Sequence, residues 1–140
     1  MAPPVHYVDL RAFVYATEDE RRIEDALRTL LPAEFPIERT ETEGHYGDRI
    51  IIQSARVENA DDVRYIFEQL VDADEFGRIV NELDDRVTDD CEFYLLLDKQ
   101  AAFGGDVIPG EGITVRAKIE AYPAKREAAL QNIREYFSSA

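Results

Sequence analysis

The chain has 140 residues, 45% of them hydrophobic, and carries thirty acids against sixteen bases for a net charge of −14. One cysteine, Cys91, excludes an intramolecular disulfide and a cysteine metal cluster, and no run approaches the roughly 20 apolar residues of a membrane span. Length and composition predict one domain over residues 1–140 that buries its own core.

The start, Met1-Ala2-Pro3-Pro4-Val5-His6, lacks the charged and apolar segments of a signal peptide. With a lone cysteine, this predicts a reducing cytoplasm. Thirteen of the bases are arginine; the lysines are Lys99, Lys118 and Lys125. An acidic, lysine-poor surface keeps a protein soluble in concentrated salt, so the composition predicts a halophilic cell interior; a partner with a basic surface is the alternative. The excess is unevenly spread. Phe93 to Ala140 holds six acids and six bases, so this third is neutral, and it contains all three lysines.

Val5 to Tyr15 alternates as a strand, with Val8, Leu10, Ala12 and Val14 on one face and Tyr7, Asp9, Arg11 and Phe13 on the other. Thr17, with Glu20 three residues on, predicts a capping box for a helix striped by Ile23, Ala26, Leu27 and Leu30 and stopped by Pro32 and Pro36. Ile37 to Thr42 reads as a weaker strand, joined by a turn at Gly44 to Asp48 to a strand from Arg49 to Val57. The run Ile50-Ile51-Ile52 predicts that the latter is central and covered over most of its length. Helices follow from Asn59 or Ala60 and within Asp74 to Val87. Cys91 to Asp98 is the next strand, Lys99 to Gly112 a long loop, and Ile113 to Ala121 the last strand. That strand separates Ile113, Val115, Ala117 and Ile119 from Thr114, Arg116, Lys118 and Glu120. Pro123 suits the first turn of a closing helix that buries Ala128, Leu130, Ile133 and Phe137. The order β-α-β-β-α-α-β-β-α predicts an α+β two-layer sandwich: a mostly antiparallel sheet, helices on one face, the other face open.

Four segments carry a family resemblance: F-V-Y-A-T-E-D at Phe13 to Asp19, E-G-H-Y-G at Glu43 to Gly47, D-K-Q-A-A at Asp98 to Ala102, and V-R-A-K-I-E-A-Y-P-A-K-R-E at Val115 to Glu127. In this order, across nearly the whole chain, they resemble a family of archaeal RNA-binding proteins associated by prediction with the exosome. The resemblance implies a fold similar to that of the ribosomal large-subunit protein that holds the 5S RNA. It also implies RNA as partner and work in RNA processing or at the ribosome.

The candidate site begins on the open face. Arg11 and Phe13 reach a common surface with Tyr94, Arg116 and Lys118 if their strands are neighbours; rings stack on bases and guanidinium groups pair with phosphates. The alternatives are a solvated face with cross-strand pairs such as Asp9 with Arg116, or a homodimer interface. Lys99 and Gln100 are candidates to close over an RNA strand, beside the pliant Gly104-Gly105, although an ordinary surface loop fits as well. Lys125 and Arg126, at a helix N-terminus, oppose the helix dipole, a conflict that a bound phosphate relieves; pairing with nearby acids is the alternative. His45, in a turn beside Tyr46, is a weaker RNA-contact candidate. Neither histidine has a second histidine or a cysteine close in sequence, and no nucleophile elbow or phosphate loop is present, so no cofactor, metal or catalysis is expected.

Overall fold

A computed structural model describes residues 2–140. The strands are β1 (Val5–Val14), β2 (Glu38–Glu43), β3 (Arg49–Val57), β4 (Glu92–Asp98) and β5 (Gly112–Ile119). They form one sheet in the order β2-β3-β1-β5-β4, and every pairing is antiparallel. Among the described residues there are six helices: α1 (Glu20–Arg28), α2 (Ala60–Val71), α3 (Phe76–Asn81), α4 (Leu83–Arg86), α5 (Lys99–Phe103) and α6 (Arg126–Ser139). The expected α+β architecture, with helices on one face of an open antiparallel sheet, is the one observed.

Strand alternation sets the two faces. Val8, Leu10, Ala12 and Val14 of β1 and Ile113, Val115, Ala117 and Ile119 of β5 are buried under the helices. Phe67 of α2 packs edge-on to Tyr136 of α6, with ring centroids 5.8 Å apart, and Phe137 meets Phe93 of β4 at 5.9 Å. Burial of such rings, each contributing on the order of 2–3 kcal/mol, is the main force joining the layers.

Several local expectations are corrected. Asp19, not Thr17, caps α1: its carboxylate stands just before the helix and accepts from Arg21 N at 2.9 Å, while Thr17 lies in the preceding turn. The segment Asp74 to Val87 is two helices, divided at Glu82. The Ile50–Ile52 run is not covered throughout. Only Ile51 points at the helices, because alternation turns Ile50 and Ile52 to the open face. Cys91 lies before β4 in a turn, at φ 62°. Lys99 to Gly112 is not loop throughout: Asp98 accepts from Ala101 N at 2.8 Å and starts the short helix α5. α5 is tied to the end of α1, where Thr29 Oγ1 donates to Ala102 O at 2.6 Å. Pro123 precedes α6 rather than opening it. The inward face of α6 is Ala129, Ile133, Tyr136 and Phe137, leaving Ala128 and Leu130 half-buried.

The sheet's edges differ. On β4 the following loop adds main-chain bonds, Asp98 N to Ile108 O at 2.8 Å and Gly110 N to Leu96 O at 3.0 Å. On β2 all six residues are exposed, and charged side chains blunt the edge. No helix among the described residues is long and apolar enough to cross a membrane.

Candidate functional site

On the face away from the helices, the strand register aligns side chains in rows across the sheet. One row runs Arg56, Asp9, Arg116, Tyr94 over β3, β1, β5 and β4. The next runs Glu38, Ser54, Arg11, Thr114, Leu96, starting on β2. Beyond it lie Thr40, Ile52 and Phe13. Because β5 separates β1 from β4, its small Thr114 forms a low floor between two taller ridges.

Four of the expected site residues meet here. Arg11, Phe13, Tyr94 and Arg116 line a cleft of about 90 Å³ together with Asp9 and Thr114. On the other side of Arg11 a groove of about 600 Å³ extends over β3 to Phe35 and Pro36. Arg11 is exposed and has no acid within ion-pair distance among the described residues.

Arg116 is not free. Its Nη2 lies 3.0 Å from Asp9 Oδ2 and its Nε 3.2 Å from Glu92 Oε2. Asp9 also accepts from Arg56 Nε at 2.8 Å and Nη2 at 2.9 Å, and Arg56 stacks 4.0 Å above the Tyr7 ring. The cross-strand alternative, Asp9 with Arg116, is therefore present, extended into a chain of two acids and two bases. Burial alone raises the Asp9 carboxyl, but the hydrogen bonds and charges of Arg56 and Arg116 outweigh it and hold the group below the ordinary carboxylate range. The hydrogen bond to Asp9 is the main reason that Arg116 holds its proton more tightly than usual.

The other expected residues lie outside this cleft. Lys99 is mostly buried; its Nζ pairs with Glu18 at 2.7 Å and reaches Phe13 O at 3.4 Å. Gln100 is exposed beside it, in a hollow lined by Thr17, Arg22 and Phe103. Lys118 faces the far end of the sheet and donates to Asp90 O. Arg126 donates to Val87 O at 3.0 Å and to Asp84 O, which satisfies the turn before β4 and removes the need for a phosphate to explain its position. Lys125 is exposed and makes no side-chain cap. His45 is exposed in the β2–β3 turn, edge-on to Tyr46 at 4.8 Å. Lys118 pairs with Tyr7, six residues before Phe13 on β1 and roughly 20 Å from it along the strand, so the ten candidates do not form one cluster.

Sequence reasoning placed Thr114 on the polar face of the last strand but missed Arg56, Glu92 and Leu96 as parts of this face. Their outward alternation was visible, but strand order was not, and strand order alone makes them neighbours.

Similarity to known proteins extends across nearly the whole chain. RNA-binding protein PAB1135 of Pyrococcus abyssi is 32% identical, over 94% of this chain and 92% of its own. Protein MJ0213 of Methanocaldococcus jannaschii is 31% identical, over 76% of this chain and 78% of its own. The solved structure of Mth689, a DUF54 protein from Methanothermobacter thermautotrophicus, superposes with a TM-score of 0.83 at 36% identity, covering 95% of this chain and 98% of that one. A family model described as RNA binding matches residues 7–119, from within β1 to the end of β5, and the chain belongs to this RNA-binding family.

Proposed function

We propose that this protein binds RNA without catalysing a reaction on it, through the open sheet face around Arg11. One observation carries the reading: a guanidinium with no acid partner among the described residues shares a cleft with two exposed aromatic rings, Phe13 and Tyr94, on the face that the helices leave uncovered. Arg11 and Arg116 take phosphates, with Arg116 exchanging its contact to Asp9 for one to RNA, while Phe13 and Tyr94 offer stacking surfaces. Gln100, Lys125 and His45 are exposed and extend the contact area at either end. Lys99, Lys118 and Arg126 hold the fold through their internal bonds and supply background positive potential. The family resemblance supports a place beside RNA-processing machinery such as the exosome, and the acidic, lysine-poor composition supports a salt-rich cytoplasm.

The test is the double variant Arg11→Ala with Arg116→Ala, titrated against RNA at several salt concentrations. Loss of two phosphate contacts is expected to weaken binding and flatten the slope of log K against log salt by about 1.4. Wild-type affinity and slope at low salt in the double variant would reject the site.

A second reading uses the same face for protein contact. Tyr94, Leu96 and Ile108 are exposed toward the β4 side, as in a surface that meets another chain. A stable dimer in solution that shields Phe13 and Tyr94 would favour this reading over RNA.

A further inference from the structure

We propose that the ligand of this face is an unpaired RNA segment lying along β5, and not a duplex; the proposal rests on the reading of the open face as the RNA site. The shape comes from side-chain size. Thr114 forms the floor, Arg11 and Phe13 of β1 form one wall, and Tyr94 and Leu96 of β4 form the other. Three of these wall groups are apolar yet open to solvent: Phe13 at 36%, Tyr94 at 40% and Leu96 at 44%. The trough ends at Arg116 on one side. On the other it ends at Gly112, across which the Lys99 stem runs to reach Glu18 and Phe13 O. The two ends are four residues apart on β5, roughly 13 Å.

Exposed rings gain from bases only when those bases are unstacked and unpaired. A duplex hides its ring faces and offers phosphates and ribose hydroxyls instead, which calls for many free cations. This face supplies few. Along the trough Arg56 and Arg116 share Asp9, Arg116 also holds Glu92, and Arg11 is the one cation there without an acid partner among the described residues; Lys118, farther along β5, is turned to the Asp90 carbonyl. The stacking groups therefore outnumber the free charges, which is the balance expected of a single-strand binder.

The experiment is fluorescence anisotropy with two probes of equal length, an oligouridylate and a blunt RNA duplex. The proteins are wild type, Phe13→Ala with Tyr94→Ala, and Tyr94→Phe. The expected result is at least about ten-fold tighter binding to oligouridylate than to duplex, lost by at least about ten-fold in the double alanine variant and kept in Tyr94→Phe. For one to three phosphate contacts, the single-strand salt slope is expected between about −0.7 and −2. A duplex bound as tightly as oligouridylate, or a double alanine variant that binds oligouridylate like wild type, overturns the single-strand assignment while leaving RNA binding standing. If wild type binds neither probe, the RNA reading itself falls, and this inference falls with it. Both rings are exposed, so a folded double variant, checked by its circular dichroism, is expected.

Discussion

Asp9 is where the chain's acidity meets its candidate site. Its carboxylate lies between Arg56 and Arg116, so under the proposed function RNA competes there with an internal anion. Asp9→Asn keeps an acceptor of the same shape and removes the charge. Under the proposed function, this variant is expected to bind RNA several-fold more tightly and with a steeper salt slope, as titration would show; an unchanged or lower affinity would argue that the two arginines do not meet RNA. The same substitution has an opposite cost in the free protein. Because the folded carboxyl titrates below its unfolded value of about 3.9, the stability it provides is present above that pH and is lost as pH falls through the folded pKa. Discounted for solvent screening, this amounts to about 1 kcal/mol or less. Urea midpoints measured from pH 6 to pH 3 are therefore expected to drop less steeply in Asp9→Asn than in wild type. Protonation of the other acids relieves repulsion equally in both proteins, so the difference between the two curves isolates Asp9.

At the scale of elements, the loop after α5 decides how the sheet ends. It pairs with β4 through Ile108 and Gly110, and the fit at Gly110 leaves no room: an added Cβ would lie 2.7 Å from Asp98 Cβ and 3.1 Å from its Cα. Main-chain atoms cannot yield as a flexible side chain does, so Gly110→Ala is expected to lift the loop from the edge. The predicted loss is about 1–3 kcal/mol in denaturant melts, with faster hydrogen exchange at the Asp98 amide, which donates to Ile108 O. None of this contact was legible from the sequence, where Lys99 to Gly112 reads as loop. A helix of five residues is too short to show a period, and the cap that starts it is a single carboxylate. The faces of β1 and β5 were legible, because ten- and eight-residue strands repeat their alternation enough times to be read. What alternation cannot report is which strand lies beside which. Hence Arg11, Phe13, Tyr94 and Arg116 were read as one surface only on the condition that their strands adjoin. The pairing of Lys99 with Glu18, 81 residues earlier, was out of reach for the same reason.

For the whole molecule the governing number is the charge of −14. Most arginines already pair with acids on the surface, so the excess acids repel one another across a small body. At 1 M salt the Debye length is about 3 Å, short enough to screen repulsion between separated acids while leaving contact pairs partly intact. Thermal melts are therefore expected to rise by about 5 °C or more between 0.1 M and 1 M KCl; a flat or falling midpoint would remove repulsion as a destabilising term. RNA binding responds with the opposite sign, and the size of that response decides whether the two properties can coexist. An interface built on ten duplex phosphates would lose on the order of nine decades of affinity over this range, at a slope of about −0.9 per contact. One to three single-strand contacts lose only about 0.7 to 2 decades. In the salt-rich interior proposed above, only the second kind of interface retains useful affinity. Stacking on Phe13 and Tyr94, which involves no counterion release, is the part of binding that concentrated salt leaves in place. Affinity for an unpaired oligouridylate measured at 1 M KCl is thus expected to stay within about a hundred-fold of its value at 0.1 M, and a collapse beyond that would mean that phosphate contacts, and not the rings, carry the binding.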